Sequence, residues 1–557
     1  MKKILVAVAV LVLLLALGLA VFLATFDADR YRPVLVQKIS ETFGHPVRLG
    51  KISLGWRGGI ALELNDLQAY PGTQAEGEPA LRVEKTALVL QLLPLFLGSV
   101  QLGSVTLVRP AAHVVREPGG NITLEGITPP PAGGASAGPA RAAPFLIRLL
   151  EVQDGTLQIT DRSVQPPLSL AIRKADLSLR NVSLTGPISV RARLALFRAD
   201  PNIRFTGLVI LPVGQRPAGL KDADFQVDLS GWNQEELVRA FPAIQALGLK
   251  EGMAGELQIA ANAVSLDLKT LDQVNAHVRL KKGRFSLEQL SQPVQEVDAD
   301  ADLHGNRLEL RHVSGKLGTG SFSGVGTLDQ IFTQMGGALQ GGLKAVPMEW
   351  FFPPAVPGQP ALSGRLTASF QGSFRGATAA EMAQSFSGET DIHLDDGRVA
   401  RFNLLREVFG RLTVIPGLME KLLTRLPESY REKLNAPDTL LQPVEVKMVV
   451  AGDQLTCDQF RVATDTLELE GSGRARMDGS FSIPARVKIE PQLSVAILHS
   501  VEELRFLADE QGRLVIPVEI QGKLPQVAVL PDVSAVGQEA VGTLLEKLLD
   551  KKLRKKE

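Results

Sequence analysis

The 557-residue chain has one cysteine, Cys457. That excludes an intramolecular disulfide framework and an all-cysteine zinc site, and leaves the thiol as a small apolar filler on a strand. Net charge is also missing: 60 basic residues offset 60 acidic ones. A nucleic-acid partner would call for a strongly basic domain. Aromatics are 5% of a chain that is 45% apolar, so the interior is aliphatic and the chain is too apolar for disorder. A zinc-peptidase signature is absent too: there is no H-E-x-x-H. Asp298, Asp300, Asp302 and Glu309 match calcium-loop positions 1, 3, 5 and 12, but Leu303 stands where that loop needs glycine. The seven histidines are scattered; His304 and His312 come nearest to a cluster and lack a third ligand. Gly318 to Gly324 is one residue off a dinucleotide fingerprint and reads as a glycine-rich bend between strands. No catalytic residue, cofactor or metal is expected.

Long apolar runs are confined to one place. Ile4 to Phe26 carries no charge and a single hydroxyl, Thr25, behind Lys2 and Lys3. About 20 apolar residues at 1.5 Å each match a hydrocarbon core of about 30 Å. The run is longer than a signal-peptide core, and Phe26-Asp27 makes a poor cleavage site. An uncleaved helix over 1–26 is therefore expected, with its N-terminus cytoplasmic and the body exported. Leu35, Val36, Ile39 and Phe43 then fall on one helical stripe ending at Gly44. That stripe either caps the first sheet, the preferred reading, or lies on lipid.

After residue 50 the period is two. Leu157 and Ile159, Leu257 and Ile259, Val278 and Leu280, and Leu308 and Leu310 alternate with polar neighbours. So do Ile392 and Leu394, Val446 and Met448, Val487 and Ile489, and Ile516 and Val518. Such strands have one apolar and one polar face, which favours an antiparallel sheet solvated on one side. Asp154-Gly155, Lys282-Gly283, Gly305-Asn306, Asp396-Gly397, Gly452-Asp453, Asp478-Gly479 and Gln511-Gly512 read as hairpin turns. At about a dozen residues per strand and turn, some 30–35 strands are expected. Segment 129–144 is rich in Pro, Gly and Ala and reads as a linker or loop. Over 396–435, Leu404, Leu405, Val408 and Leu412 form one helical stripe, and Leu418, Leu422, Leu423 and Leu426 a second. Segment 531–557 reads as a basic amphipathic helix: Leu545 and Leu548 lie on its stripe, and Lys551, Lys552, Lys555 and Lys556 cluster near its end. It either docks on an anionic membrane or caps the last strand.

A resemblance rests on ordered segments at both ends. Phe26 to Tyr31, Gly44 to Leu49, Ile52 to Leu54, Leu62 to Leu67, Leu93 to Val100 and Val105 to Pro110 resemble the N-terminus of the AsmA family, and Phe386 to Arg398 resembles its C-terminal signature. The resemblance implies a Gram-negative inner-membrane protein with a periplasmic β-rich body, similar to bridge-like lipid transfer proteins. It implies an N-terminal family domain over 27–128, a central groove over 145–395 and a further β-rich part over 436–530.

From the residues alone, a sandwich and an open groove are equally acceptable ways to cover the apolar face; the resemblance favours the groove. The expected fold is thus mainly β: a transmembrane helix, then an elongated curved antiparallel sheet with a few amphipathic helices. The sixteen alternating apolar residues named above would line the groove, and the six tail residues would dock on a membrane. Each methylene is worth about 0.8 kcal/mol, so a 16-carbon chain needs shielding worth roughly 12 kcal/mol in transit. Phospholipids and the inner membrane are the expected partners, with the outer membrane or an envelope protein at the far end. The alternative is a non-enzymatic scaffold assembling outer-membrane proteins through strand pairing.

Overall fold

A computed structural model describes residues 26–57, 59–72, 74–90, 102–118, 122–127, 146–163, 167–183, 186–211, 218–240, 249–250, 252–263, 274–287, 290, 292–330, 335–351, 362–376, 379–412, 417–476, 478–523 and 526–532. The expected membrane span (save Phe26), the linker and the basic tail, with Leu545, Leu548, Lys551, Lys552, Lys555 and Lys556, lie outside them. No helix among the described residues is long and apolar enough to cross a membrane.

The protein is mainly β, with 26 strands among the described residues. Several are longer than the expected dozen residues per strand and turn and run to 15 or 16 residues, such as Leu102–Arg116, Leu146–Asp161 and Leu168–Ser183. The chain forms two compact units: residues 1–247 with 251–279 and 303–305, and residues 248–250 with 280–302 and 306–557.

In the first unit, Ile52–Trp56, Ile60–Ala69, Leu81–Leu90 and Leu102–Arg116 pair antiparallel in sequence order. Leu102–Arg116 then pairs parallel with Leu146–Asp161. A parallel neighbour needs a long return connection, which the chain between 117 and 145 supplies. From there the antiparallel order resumes through Leu168–Ser183, Ile188–Leu196, Ile203–Ile210, Gly219–Asp228 and Ala254–Ala263. The second unit pairs consecutive strands antiparallel from Arg307–Leu317 to Gln526–Pro531.

Three expected hairpin turns are something else. Asp154-Gly155, Lys282-Gly283 and Asp396-Gly397 lie inside the strands Leu146–Asp161, Val274–Phe285 and Ser387–Val399. Asp154, Lys282 and Asp396 are left-handed, at φ 54°, 52° and 52°. Gly305, Gly452, Gly479 and Gly512 do mark turns. The same left-handed break recurs mid-strand at Asp66, Arg109, Lys174, Asp222, Glu296 and Ala345. At several of these breaks the amide turned out of the ladder donates to a side chain on another strand. Asp154 N–H reaches Asp176 Oδ1 at 3.0 Å, Asp222 N–H reaches Asn262 Oδ1 at 2.8 Å and Lys282 N–H reaches Asp298 Oδ1 at 3.0 Å. Ala345 N–H reaches Thr367 Oγ1 at 3.2 Å. A bulge bends its strand and sharpens the local twist.

Helices cover parts of the sheet. Arg32–Phe43 packs Leu35, Val36 and Ile39 onto the first strands, the capping arrangement expected of it. Gln234–Ala240 covers Leu168, Leu170 and Leu196. The strand Ser387–Val399 runs on past residue 396, so the helices expected over 396–435 begin at Leu404, as Leu404–Gly410, Leu418–Arg425 and Glu428–Asn435. Asn403 ties them together: its Oδ1 accepts from Arg406 N–H at 2.9 Å, and its Nδ2 donates to Lys433 O at 2.8 Å. Pro491–Ser500 and the 3-10 helix Glu502–Leu507 complete this layer, in a segment expected to be strand.

Candidate functional site: a continuous apolar face

Strand register brings the apolar residues into rows. In the first unit, one row crosses ten neighbouring strands: Ile52, Leu64, Thr86, Leu107, Val152, Leu177, Ala192, Phe205, Phe225 and Ile259, each paired with the next. Paired residues share a face, so nine of these ten positions present carbon. Nine strand spacings of about 4.8 Å give the row a reach of roughly 43 Å. A cavity of about 370 Å³ opens on it, lined by Val152, Leu177, Ala192 and Phe205 among others.

Two such rows cross eleven strands of the second unit. One runs Leu310, Gly326, Leu339, Gly372, Gly388, Val450, Leu455, Ala475, Phe481, Gly522, Val527. The other runs Gly315, Phe322, Leu343, Ala368, Ile392, Val446, Phe460, Gly471, Ala485, Val518, Pro531. Rings of neighbours lie over several glycines of this face. A Cβ at Gly315 would meet Phe322 at 2.5 Å, one at Gly372 would meet Phe386 at 2.5 Å, and one at Gly471 would meet Phe460 at 2.8 Å. The glycines let rings lie flat on the sheet, a known way to protect glycine in strands. A cavity of about 750 Å³ opens over Leu310, Gly326, Leu339, Gly372 and Gly388.

One residue off a row, the side chains are charged and paired across strands. Glu63 bonds Lys85 at 2.8 Å and Arg57 at 3.2 Å, and Lys488 bonds Glu470 at 2.5 Å. The Lys85 and Lys488 ammonium groups hold the Glu63 and Glu470 carboxyls below the usual carboxylate range. The sheet therefore has one carbon face and one salt-bridged face. Among the described residues no cluster of His, Cys, Asp and Glu could hold a metal. Asp298 accepts from Lys282, and Asp302 is paired with Arg311. His304 and His312 bond Asn275 and Ser314. Gly318 to Gly324 forms a turn followed by a strand, and Cys457 is buried on the strand Gln454–Ala463.

Coverage varies along the face. Leu157, Ile159, Leu257, Ile259, Val278, Leu280, Leu308, Leu310, Ile392, Val446 and Met448 are half-buried. Leu157 and Ile159 pair with Ile172 and Leu170, Leu257 with Val227, Leu308 with Leu328, and Met448 with Thr390. Leu394 is fully buried beside Met348 and Val444. Val487, Ile489, Ile516 and Val518 are different: they are buried under the helical layer, with Leu405, Leu422, Leu493 and Leu504 in the same core. The face of the second unit is thus closed over here by helices, and that of the first unit is closed over near Ile52 and Leu64 by Arg32–Phe43.

The sequence signal missed here was the second closing helix. Glu490 caps it, accepting from Gln492 N–H at 2.9 Å and Leu493 N–H at 2.7 Å, with Pro491 at its first turn. That acceptor-then-proline start is a helix signature. The row glycines were also missed; their signal is glycine at the apolar phase of an alternating run, one strand from a phenylalanine.

Among known protein families, the model of the AsmA family matches residues 1–209. No curated protein and no solved structure matches the chain.

Proposed function

On the match of residues 1–209 to the AsmA family model, we propose that the chain is a non-enzymatic, inner-membrane-anchored periplasmic protein that carries phospholipid acyl chains along its apolar sheet face. In this role it supports lipid transport between the inner and outer membranes. The observation that carries the reading is the in-register row. Acyl chains need unbroken carbon along their path, because each exposed methylene costs about 0.8 kcal/mol. Ten consecutive strands of one unit and eleven of the other supply such rows. Away from the covering helices the lining is apolar and half-buried, which leaves room for a guest where a closed core would not. The salt-bridged face keeps the same strands in water.

Lipid mass spectrometry on the chain from residue 27 onward, purified in detergent and exchanged out of it, tests the proposal. Stoichiometric phospholipid is the expected result. A preparation free of lipid but carrying β-barrel protein would favour the scaffold alternative.

A further inference from the structure

The chain contains three tryptophans and three tyrosines. Four of the six are at least partly covered. Trp350 is 3% exposed and Tyr70 3%. Trp232 donates its Nε1–H to Asp228 O at 2.8 Å, and Tyr430 packs against the helical core. Tyr31 is the exception among the tyrosines at 53% exposed, and Trp56 among the tryptophans at 54%. The elements that carry them meet at one apolar cluster. The 3-10 helix Ala28–Tyr31 is pinned to the strand Ile52–Trp56 by Asp29, whose Oδ1 accepts from Ile52 N–H at 2.8 Å. Ala28 is buried with Ile52, Leu54 and Leu64 in the same apolar cluster. Burying Ala28 turns its flanks outward: Phe26 stacks on Tyr31, ring centroids 6.0 Å apart, and Val34, on the next turn, is 59% exposed. Trp56 lies on the same strand face as Ile52 and Leu54, about 7 Å beyond Leu54.

Exposed apolar residues scattered singly need no explanation, but a cluster of them does. Here the cluster holds the only strongly exposed tryptophan and tyrosine among the described residues, and it begins at the last residue of the uncharged run Ile4 to Phe26. Tyrosine and tryptophan concentrate where a membrane meets water, with the ring among the acyl ends and the polar tip at the headgroups. We infer that Phe26, Tyr31, Val34 and Trp56 form a foot that sits in the interfacial layer of the membrane from which the chain emerges. The foot rests on the anchoring reading given above. It would hold the first strands of the sheet against the lipid, with the apolar face starting at the bilayer surface.

The test uses the full chain reconstituted in vesicles of phosphatidylethanolamine and phosphatidylglycerol, with and without brominated acyl chains, beside the variant Trp56→Phe. Flotation is read first. A chain that does not float with the vesicles overturns the anchoring reading and the foot together. For a chain that floats, bromolipid should quench the part of the emission that Trp56→Phe removes, and that part should lie to the blue of its position in water. Trp232 and Trp350, seated in the body, should be quenched equally little in both proteins. Flotation with equal quenching of wild type and variant overturns the foot and leaves the anchor standing. Trp56 is exposed, so the variant keeps the fold; unchanged far-ultraviolet circular dichroism verifies this.

Discussion

At the scale of single residues, Thr86 is the anomaly of the first row. Its hydroxyl is buried between Leu64 and Leu107 and has no hydrogen-bond partner among the described residues. A buried hydroxyl left unpaired costs about 1–3 kcal/mol. Thr86→Val keeps the shape and removes that cost, so it should raise stability by about 1 kcal/mol, seen as a higher urea midpoint at unchanged slope. A loss of stability would mean that the hydroxyl is served in the folded protein. Asp438 works in the opposite sense. Its carboxylate accepts from Arg401 N–H at 2.8 Å and is paired with Arg398; the two together hold it below its ordinary value of 3.8. A carboxyl depressed by folding stabilises the protein above its unfolded pKa, and that contribution fades as pH falls through the folded value. The stability gap between wild type and Asp438→Asn should therefore be open at neutral pH and narrow in acid. An equal gap at pH 7 and in acid would sink this assignment.

At the scale of elements, the strands were legible in outline, and the place where the reading failed is informative. Alternation identifies the strands, but in sequence a break marked by Asp-Gly or Lys-Gly reads as a turn. The sequence does hold the distinction. In Ile60–Ala69 the apolar phase is even at Ile60, Leu62 and Leu64 and odd at Leu67 and Ala69, with left-handed Asp66 between. The phase slips likewise around Lys174 (Leu170, Ile172; then Leu177, Leu179) and Asp222 (Leu220; then Phe225, Val227). A one-residue slip would throw every later side chain to the other face. An inserted bulge residue absorbs the slip and keeps the apolar set on one side. A true turn reverses the chain, whereas here the apolar pattern resumes after one residue. The coverage of the face was not legible, because alternation in a strand reads the same whether helices or a guest lie over it. That difference predicts unequal mutational costs. Ile516 is fully buried beneath the helices, so Ile516→Ala should cost about 2–5 kcal/mol. Ile259 is half-buried, and Ile259→Ala should cost less than about half as much by urea unfolding. Equal losses would mean that Ile259 too is sealed in a core.

At the scale of the whole molecule, the account holds that one face of each unit is a surface for acyl chains and the other a surface for water. The pairs Phe225 and Gln226, and Ile392 and Asp391, sample the two faces at adjacent residues of one strand in each unit. Phe225 and Ile392 stand in the rows, while Gln226 is exposed and Asp391 pairs with Lys447 at 3.8 Å. The measurement is photo-crosslinking in cells from each of these four positions, with the captured species identified by mass spectrometry. The account predicts phospholipid adducts from Phe225 and Ile392 and none above background from Gln226 and Asp391. Equal capture from both faces, or protein alone captured from the row positions, would contradict it.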